Sequence, residues 1–140
     1  MTTNIDLENM AKKYNVPLSF IVYKDELYKL KSILKKSTES SIGASLPKTK
    51  GLLQQSKSLY IIINMSNTGH PGTHWVALYY SPSLRIYYDS MAVIPPNEVV
   101  DFCDGDVIYN DYIQEDIDGT NCGQLALNFL RLVNNSIILV

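Results

Sequence analysis

Apolar residues recur at helical spacing in two stretches near the start of the chain. The first stretch contains Ile5, Leu7, Met10 and Ala11, and the second contains Leu27, Leu30, Ile33 and Leu34. Because residues three and four positions apart share one face of a helix, this pattern predicts that residues 1–36 are helical. Residues 37–57 are rich in Ser, Lys, Thr and Gly and lack this period, so we expect a long loop of the kind that often borders a site.

From residue 58 onward the pattern becomes that of β-strands. Leu59–Asn64 is almost continuously apolar, which predicts a strand buried on both faces. Further strands are expected over residues 73–80, 84–89 and 107–114, with a turn at 66–72 and a helix that begins at Pro95 and Pro96.

A final helix is predicted over residues 122–133, after a turn at 118–121. Its apolar stripe consists of Leu125, Phe129, Leu130 and Val133. The order of helices, strands and a closing helix predicts the α+β class.

The 140 residues are 46% hydrophobic and 19% charged, which is an ordinary globular composition. We expect one domain over residues 1–140, with a helical and loop part over 1–57 and the sheet and final helix over 58–140. The longest apolar run, Leu59–Ile63, is too short to cross a bilayer, so no membrane partner is expected. The first residues lack the basic flank and apolar stretch of a secretory signal, so we expect an intracellular protein that is not secreted.

Charge is distributed unevenly along the chain. Residues 1–57 hold all ten lysines and five acids, a net +5, whereas residues 58–140 hold two arginines and nine acids, a net −7. These halves either form solvated surfaces that partly face each other, or the lysines of residues 24–57 form a weak patch for nucleic acid or an acidic partner.

Residues 73–89 suggest a hairpin that brings two chemically active side chains together. If the turn is centred between Ser81 and Pro82, His74 lies directly opposite Asp89. Directly opposite residues have Cβ atoms about 4.5–5.5 Å apart, so the carboxylate could accept the imidazole N–H. An aspartate in this position orients the ring and stabilises the imidazolium, as in a catalytic triad.

The chain contains only Cys103 and Cys122, too few for a disulfide scaffold, and we expect no metal and no cofactor. Cys122 follows a turn and opens the final helix, where free N–H groups and the helix dipole favour a thiolate nucleophile. A nearby His74 would strengthen that preference, whereas Cys103 is expected to be structural. Taken singly, His74, Asp89 and Cys122 each have a purely structural explanation.

Two further residues fit a site built around Cys122. Gln114 could bring its side-chain NH2 beside the Cys122 backbone N–H, as a donor to the oxyanion formed by thiolate attack. Gly123 could let a substrate backbone approach closely.

Three segments and one glutamine together carry a family resemblance. They are Pro71–Leu78, Ile86–Ser90, Gln114 and Asp118–Leu125. In these segments the chain resembles the adenovirus-type and SUMO-protease-like cysteine peptidases, in which His, Asp, Gln and Cys follow one another in this order. It looks most similar to the maturation proteases of virophages, Polinton-type elements and large DNA viruses, over roughly residues 59–130.

The resemblance implies a papain-like fold, with a mixed central sheet flanked by helices and the nucleophile at a helix N-terminus. It also implies that His74 is the general base, Asp89 its orienting partner, Gln114 the oxyanion donor and Cys122 the nucleophile. Trp75 would pack beside the site or serve as a plain core aromatic. The chain departs from the family in a slightly longer gap between Gln114 and Cys122.

The resemblance implies a cysteine endopeptidase that cuts viral capsid or scaffold precursors at small or glycine-rich sites. Such an enzyme would act in the host cytoplasm, the viral factory and the virion. Because the chain is mildly acidic, we expect weak or no stimulation by DNA. The acids at 111, 115, 116 and 118 suggest a preference for basic residues near the cut. Alternatives are removal of a SUMO-type modifier, acetyl transfer from acetyl-CoA, and a degenerate protease that acts as a binding module.

Overall fold

The computed structural model describes residues 3–40, 58–68, 74–114 and 121–138, without the side chains of residues 36–40 and 137–138. Most of the predicted loop at 37–57, the turn residues 69–72 and the acids at 115, 116 and 118 therefore lie outside the described residues. Within the described ranges, every helix is too short or too polar to span a bilayer.

Within the described residues the structure has four α-helices, a short 3-10 helix (Lys24–Glu26) and five strands. The helices are α1 (Asn4–Lys13), α2 (Leu27–Ser40), α3 (Asn97–Phe102) and α4 (Cys122–Ile138). The strands are β1 (Phe20–Tyr23), β2 (Leu59–Asn64), β3 (Trp75–Tyr80), β4 (Arg85–Tyr88) and β5 (Ile108–Tyr109).

These strands form one five-stranded sheet in the order β1-β2-β3-β4-β5. The outer pairs, β1 with β2 and β4 with β5, are parallel, whereas β2, β3 and β4 are antiparallel neighbours. The sheet is therefore mixed, and the predicted α+β class is confirmed.

Alternating side chains of the central strands build two apolar layers. Ile62 and Ala77 belong to the cluster that contains α1 and α4 residues, whereas Ile61 and Val76 belong to the cluster that contains α2 and α3 residues. All six residues of β2 are buried, which confirms that this strand is covered on both faces. Complete burial of a side chain such as Ile62 stabilises the fold by about 1.5–3 kcal/mol.

Several predicted boundaries are wrong. Residues 1–36 are not helical throughout, because Phe20–Tyr23 pairs in parallel with β2. A run of four apolar residues fits either period, and here the β-branched and aromatic side chains fit the open position beside β2. Helix α2 continues to Ser40, so the predicted loop cannot start at residue 37. Of the strand predicted over 107–114, only Ile108–Tyr109 forms, while α4 runs on to Ile138.

The predicted hairpin register is also wrong, by two residues. Tyr80 pairs with Arg85, so the turn is centred between Pro82 and Ser83, not between Ser81 and Pro82. Ser81 donates its backbone N–H to the carbonyl of Leu84 at 2.8 Å and closes the loop. A shift of two residues keeps every side chain on its original face of the sheet. His74 and Asp89 are consequently diagonal rather than directly opposite.

Candidate active site

Three of the predicted site residues lie where β3, β4 and α4 meet. His74 immediately precedes β3, Asp89 immediately follows β4, and Cys122 is the first residue of α4. Because β3 and β4 are antiparallel, the start of one and the end of the other lie at the same end of the sheet. Helix α4 packs against β3 and brings its N-terminus to that end.

The His74 ring makes a short hydrogen bond to the Asp89 carboxylate. Nε2 of His74 donates to Oδ1 of Asp89 across 2.7 Å. The Asp89 side chain is 2% exposed and the His74 side chain 22% exposed, so water screens this bond weakly. Diagonal residues are normally about 7–8 Å apart, and their Cβ atoms somewhat less. The contact forms nevertheless, because the imidazole is long and both residues lie just beyond the paired strands.

His74 also forms a hydrogen bond with the side chain of Cys122. Since Nε2 is bonded to Asp89, Nδ1 is the ring nitrogen left for the sulfur. The hydrogen bond to Asp89 and then that to Cys122 raise the pKa of His74 to about 10, although burial opposes the shift. The ring is therefore an imidazolium at neutral pH, and a cation beside a cysteine favours the thiolate.

Cys122 is buried in an apolar layer and opens a long helix. Its side chain is 5% exposed and belongs to the cluster that also contains Trp75 and Ala126. Helix α4 has 17 residues, and its first-turn N–H groups and dipole add positive potential near the sulfur. Trp75 is 5% exposed, so it is both a core aromatic and a neighbour of the site.

Asp89 is held by more than its bond to His74. The backbone N–H of Met91 donates to the same carboxylate oxygen across 2.8 Å. The side chain of Asn110 bonds to both the N–H and the carbonyl of Asp89, at 2.9 and 2.7 Å. Asn110 is not among the residues predicted for the site, and its only signal in the sequence is an asparagine inside the strand predicted over 107–114, where this residue type is unfavourable.

Gln114 is exposed and lies near this end of the sheet. Its backbone N–H donates to the carbonyl of Ser90 at 2.8 Å, and its side-chain oxygen accepts a hydrogen bond from the Tyr88 hydroxyl. The Tyr88 ring stacks on Phe129 of α4, with the ring centroids 4.9 Å apart. The Tyr88 bond orients the Gln114 amide through its oxygen, and the NH2 group is the end that an oxyanion requires.

Gly123 and Cys103 are both buried. Gly123 is the second residue of α4 and is buried. Cys103 is completely buried in the opposite apolar layer, where burial raises its pKa to about 11. A neutral buried thiol of this kind is unreactive. Within the described ranges, His, Cys, Asp and Glu side chains form no cluster that could hold a metal ion.

The raised pKa of His74 makes folding stability depend on pH. The ring titrates at about 10 in the folded chain and near 6.5 in an unfolded one, so only the folded state holds this proton between those values. The His74–Asp89 hydrogen bond contributes its full stabilisation below pH 6.5, and this contribution falls as the pH rises toward 10. Above about pH 8.5, where an unfolded cysteine is deprotonated as well, we expect urea denaturation to show this loss for the wild-type chain and not for His74→Gln. Parallel stability profiles of the two proteins would contradict it.

Comparisons with known proteins give a likeness at the level of three-dimensional structure. No protein-family model and no curated protein matches the sequence of this chain. Among solved structures, the chain is similar to the SUMO protease Ulp1 with the catalytic cysteine oxidized to a sulfinic acid. The TM-score is 0.48 and the identity 13%, over 93% of this chain and 64% of that one. This chain thus spans less than two thirds of that structure's length, and its function has to be inferred from the site itself.

Proposed function

We propose that this chain is a cysteine endopeptidase in which Cys122 is the nucleophile and His74 is the general acid and base. One observation carries the proposal. A single imidazole is bonded to a buried carboxylate at 2.7 Å and also to a cysteine at the start of a helix. This combination generates a thiolate and keeps a proton donor beside it, which is what cleavage of an amide requires.

The reaction would proceed through an acyl-enzyme. The Cys122 thiolate attacks the carbonyl carbon of the peptide bond, and the C=O π electrons move to the oxygen. When this tetrahedral intermediate collapses, the C–N bond breaks and the leaving amine takes the proton of the His74 imidazolium. Neutral His74 then removes a proton from water, the resulting hydroxide attacks the thioester, and the C–S bond breaks to restore the thiolate.

Asp89 and Gln114 have supporting roles in this proposal. Asp89 keeps Nε2 of His74 engaged, so that Nδ1 stays directed at the reacting atoms and the imidazolium is stabilised. Gln114 and the backbone N–H of Cys122 would donate hydrogen bonds to the oxyanion, whose charge exists only during the reaction. Loss of one such donor typically costs about 10²–10³ in kcat.

We further propose that the substrates are viral capsid or scaffold precursors cut at small or glycine-rich sites. The motif residues around His74, Asp89 and Cys122 support this, through their resemblance to viral maturation proteases. The enzyme would then act in the host cytoplasm and viral factory and be packaged in the virion. Cleavage of a SUMO fusion in preference to such precursors would instead indicate removal of a ubiquitin-like modifier.

A covalent probe tests the proposal directly. A short peptide ending in Gly-Gly and carrying a vinyl sulfone should add once to the chain, and digestion followed by mass spectrometry should locate the adduct on Cys122. The same peptide with a fluorogenic leaving group should be hydrolysed, and the probe should block this hydrolysis. Cys103 serves as an internal control, because its complete burial should leave it unmodified. Absence of both the adduct and hydrolysis across a panel of small-residue peptides would contradict the proposal.

A further inference from the structure

Asn110 connects the segment after β5 to the residue that orients the His74 ring. Its Oδ1 accepts the backbone N–H of Asp89 at 2.9 Å, and its Nδ2 donates to the backbone carbonyl of Asp89 at 2.7 Å. The same Nδ2 donates to the carbonyl of Tyr112 at 3.1 Å. One half-buried amide group therefore bonds to three backbone groups.

These bonds begin where the backbone pairing of the sheet ends. The parallel pairing of β4 with β5 stops at Tyr87 and Tyr109, one residue before Asn110. Beyond that point the Asn110 side chain supplies the donor and the acceptor that a neighbouring strand would otherwise offer to Asp89. The backbone of Asp89 is thereby fixed on both of its polar groups.

The carboxylate end of Asp89 is fixed as well. Its Oδ1 accepts hydrogen bonds from the Met91 N–H at 2.8 Å and from His74 at 2.7 Å. Asn110 thus holds the backbone of Asp89 and Met91 holds its carboxylate, in the position from which the carboxylate meets the ring. An asparagine that only stabilised its own loop would bond within that loop, whereas two of these three bonds go to Asp89.

We propose that Asn110 is a positioning residue, which fixes Asp89 so that its carboxylate meets His74. Its effect on turnover rests on the proposed peptidase function, whereas its effect on His74 does not. Without the amide, the backbone N–H of Asp89 loses its bond to Asn110, while its carbonyl keeps the bond from the Ala92 N–H. The carboxylate is then held less firmly against the ring, and the positive charge of His74 loses part of its stabilisation. Among the described residues, Asp89 after β4 and Cys122 on α4 are the titratable groups whose hydrogen bonds and charges raise the pKa of His74.

The experiment compares Asn110→Ala and Asn110→Ser with the wild-type chain. The ring signals of His74 are titrated by NMR, and since the chain has two histidines, His70→Gln assigns them. We expect the pKa of His74 to fall by about one unit in both variants, a change of about tenfold in its proton affinity. On a peptide substrate kcat should fall about 10- to 100-fold through misplacement of the ring, with KM unchanged.

Asn128→Ala is the matched control. Its side-chain oxygen accepts hydrogen bonds from Arg131 at 3.1 and 2.7 Å on the exposed side of α4. This variant loses an asparagine whose side-chain hydrogen bonds lie outside the site, so both the pKa of His74 and kcat should match those of the wild-type chain.

The outcomes separate this inference from the proposed function. An unchanged His74 titration in folded Asn110 variants would overturn the positioning role, whatever the activity. If the Asn110 variants lower the pKa of His74 but the wild-type chain hydrolyses no peptide, the positioning role is upheld and the peptidase function is rejected. The serine variant retains a polar group for the case in which the alanine variant does not fold. Unfolding of both would also overturn the inference, because Asn110 would then serve folding alone.

Discussion

Cys122→Ala is expected to abolish peptide hydrolysis, whereas Cys103→Ser should keep most of it. Removal of an activated nucleophile costs about six orders of magnitude in kcat, because the remaining groups cannot form an acyl-enzyme. The two cysteines lie in opposite apolar layers, so one assay on the two variants distinguishes reactivity from burial. The measurement is the initial rate of hydrolysis of the fluorogenic peptide by each variant.

The fold must survive both substitutions for this comparison to count. Cys122→Ala removes a buried sulfur and its hydrogen bond to His74, which costs about 1–3 kcal/mol. Cys103→Ser places a hydroxyl in an apolar layer, which costs about 1–3 kcal/mol if it finds no partner, so rates are measured well below its unfolding temperature. Hydrolysis retained by folded Cys122→Ala, or lost in folded Cys103→Ser, would exclude Cys122 as the sole nucleophile.

His74→Ala is expected to remove the high reactivity of Cys122 at neutral pH. In the wild-type chain the imidazolium beside the sulfur supports the thiolate, and its pKa of about 10 keeps it charged well above neutrality. We therefore expect the rate of alkylation by iodoacetamide to stay nearly constant from pH 6 to pH 9. In His74→Ala the rate should instead rise with pH as it does for an ordinary thiol, with a midpoint near pH 8.5. Peptide hydrolysis should fall to the level of Cys122→Ala.

Asp89→Asn supplies the graded control for this result. The asparagine can still bond to the ring but lacks the charge, so the imidazolium is less stabilised and the wrong tautomer is favoured. In the Ser-His-Asp triad the same change costs about 10⁴ in kcat, and we expect a loss of comparable order here. Alkylation profiles that are identical in wild-type and His74→Ala proteins would show that the ring does not activate the sulfur.

The contact between His74 and Asp89 could be anticipated from sequence, even though the register was wrong. The error was an even number of residues, and strand alternation depends only on whether a shift is odd or even. The alternation of side chains along the two strands could place His74 and Asp89 on one face of the sheet, but it could not locate the turn at Pro82 and Ser83. That position depends on how Ser81 and Leu84 bond to each other.

Other parts of the site depend on tertiary structure and leave little trace in the sequence. Asn110 can bond to Asp89 because β5 ends beside that residue. The Tyr88 ring is held in place because α4 brings Phe129 against it. Neither neighbour is close in sequence. The strand Phe20–Tyr23 escaped prediction for a similar reason, since four apolar residues become a strand only where β2 offers them a parallel edge.

The order in which the chain is synthesised gives the site a built-in delay. His74 and Asp89 are 15 residues apart and belong to one hairpin, so they can meet while the ribosome is still translating later codons. Cys122 is synthesised after both of them, and its sulfur meets the ring only after α4 has left the ribosome and packed on β3. If the chain is the peptidase proposed above, the nascent protein would therefore lack activity until α4 is in place.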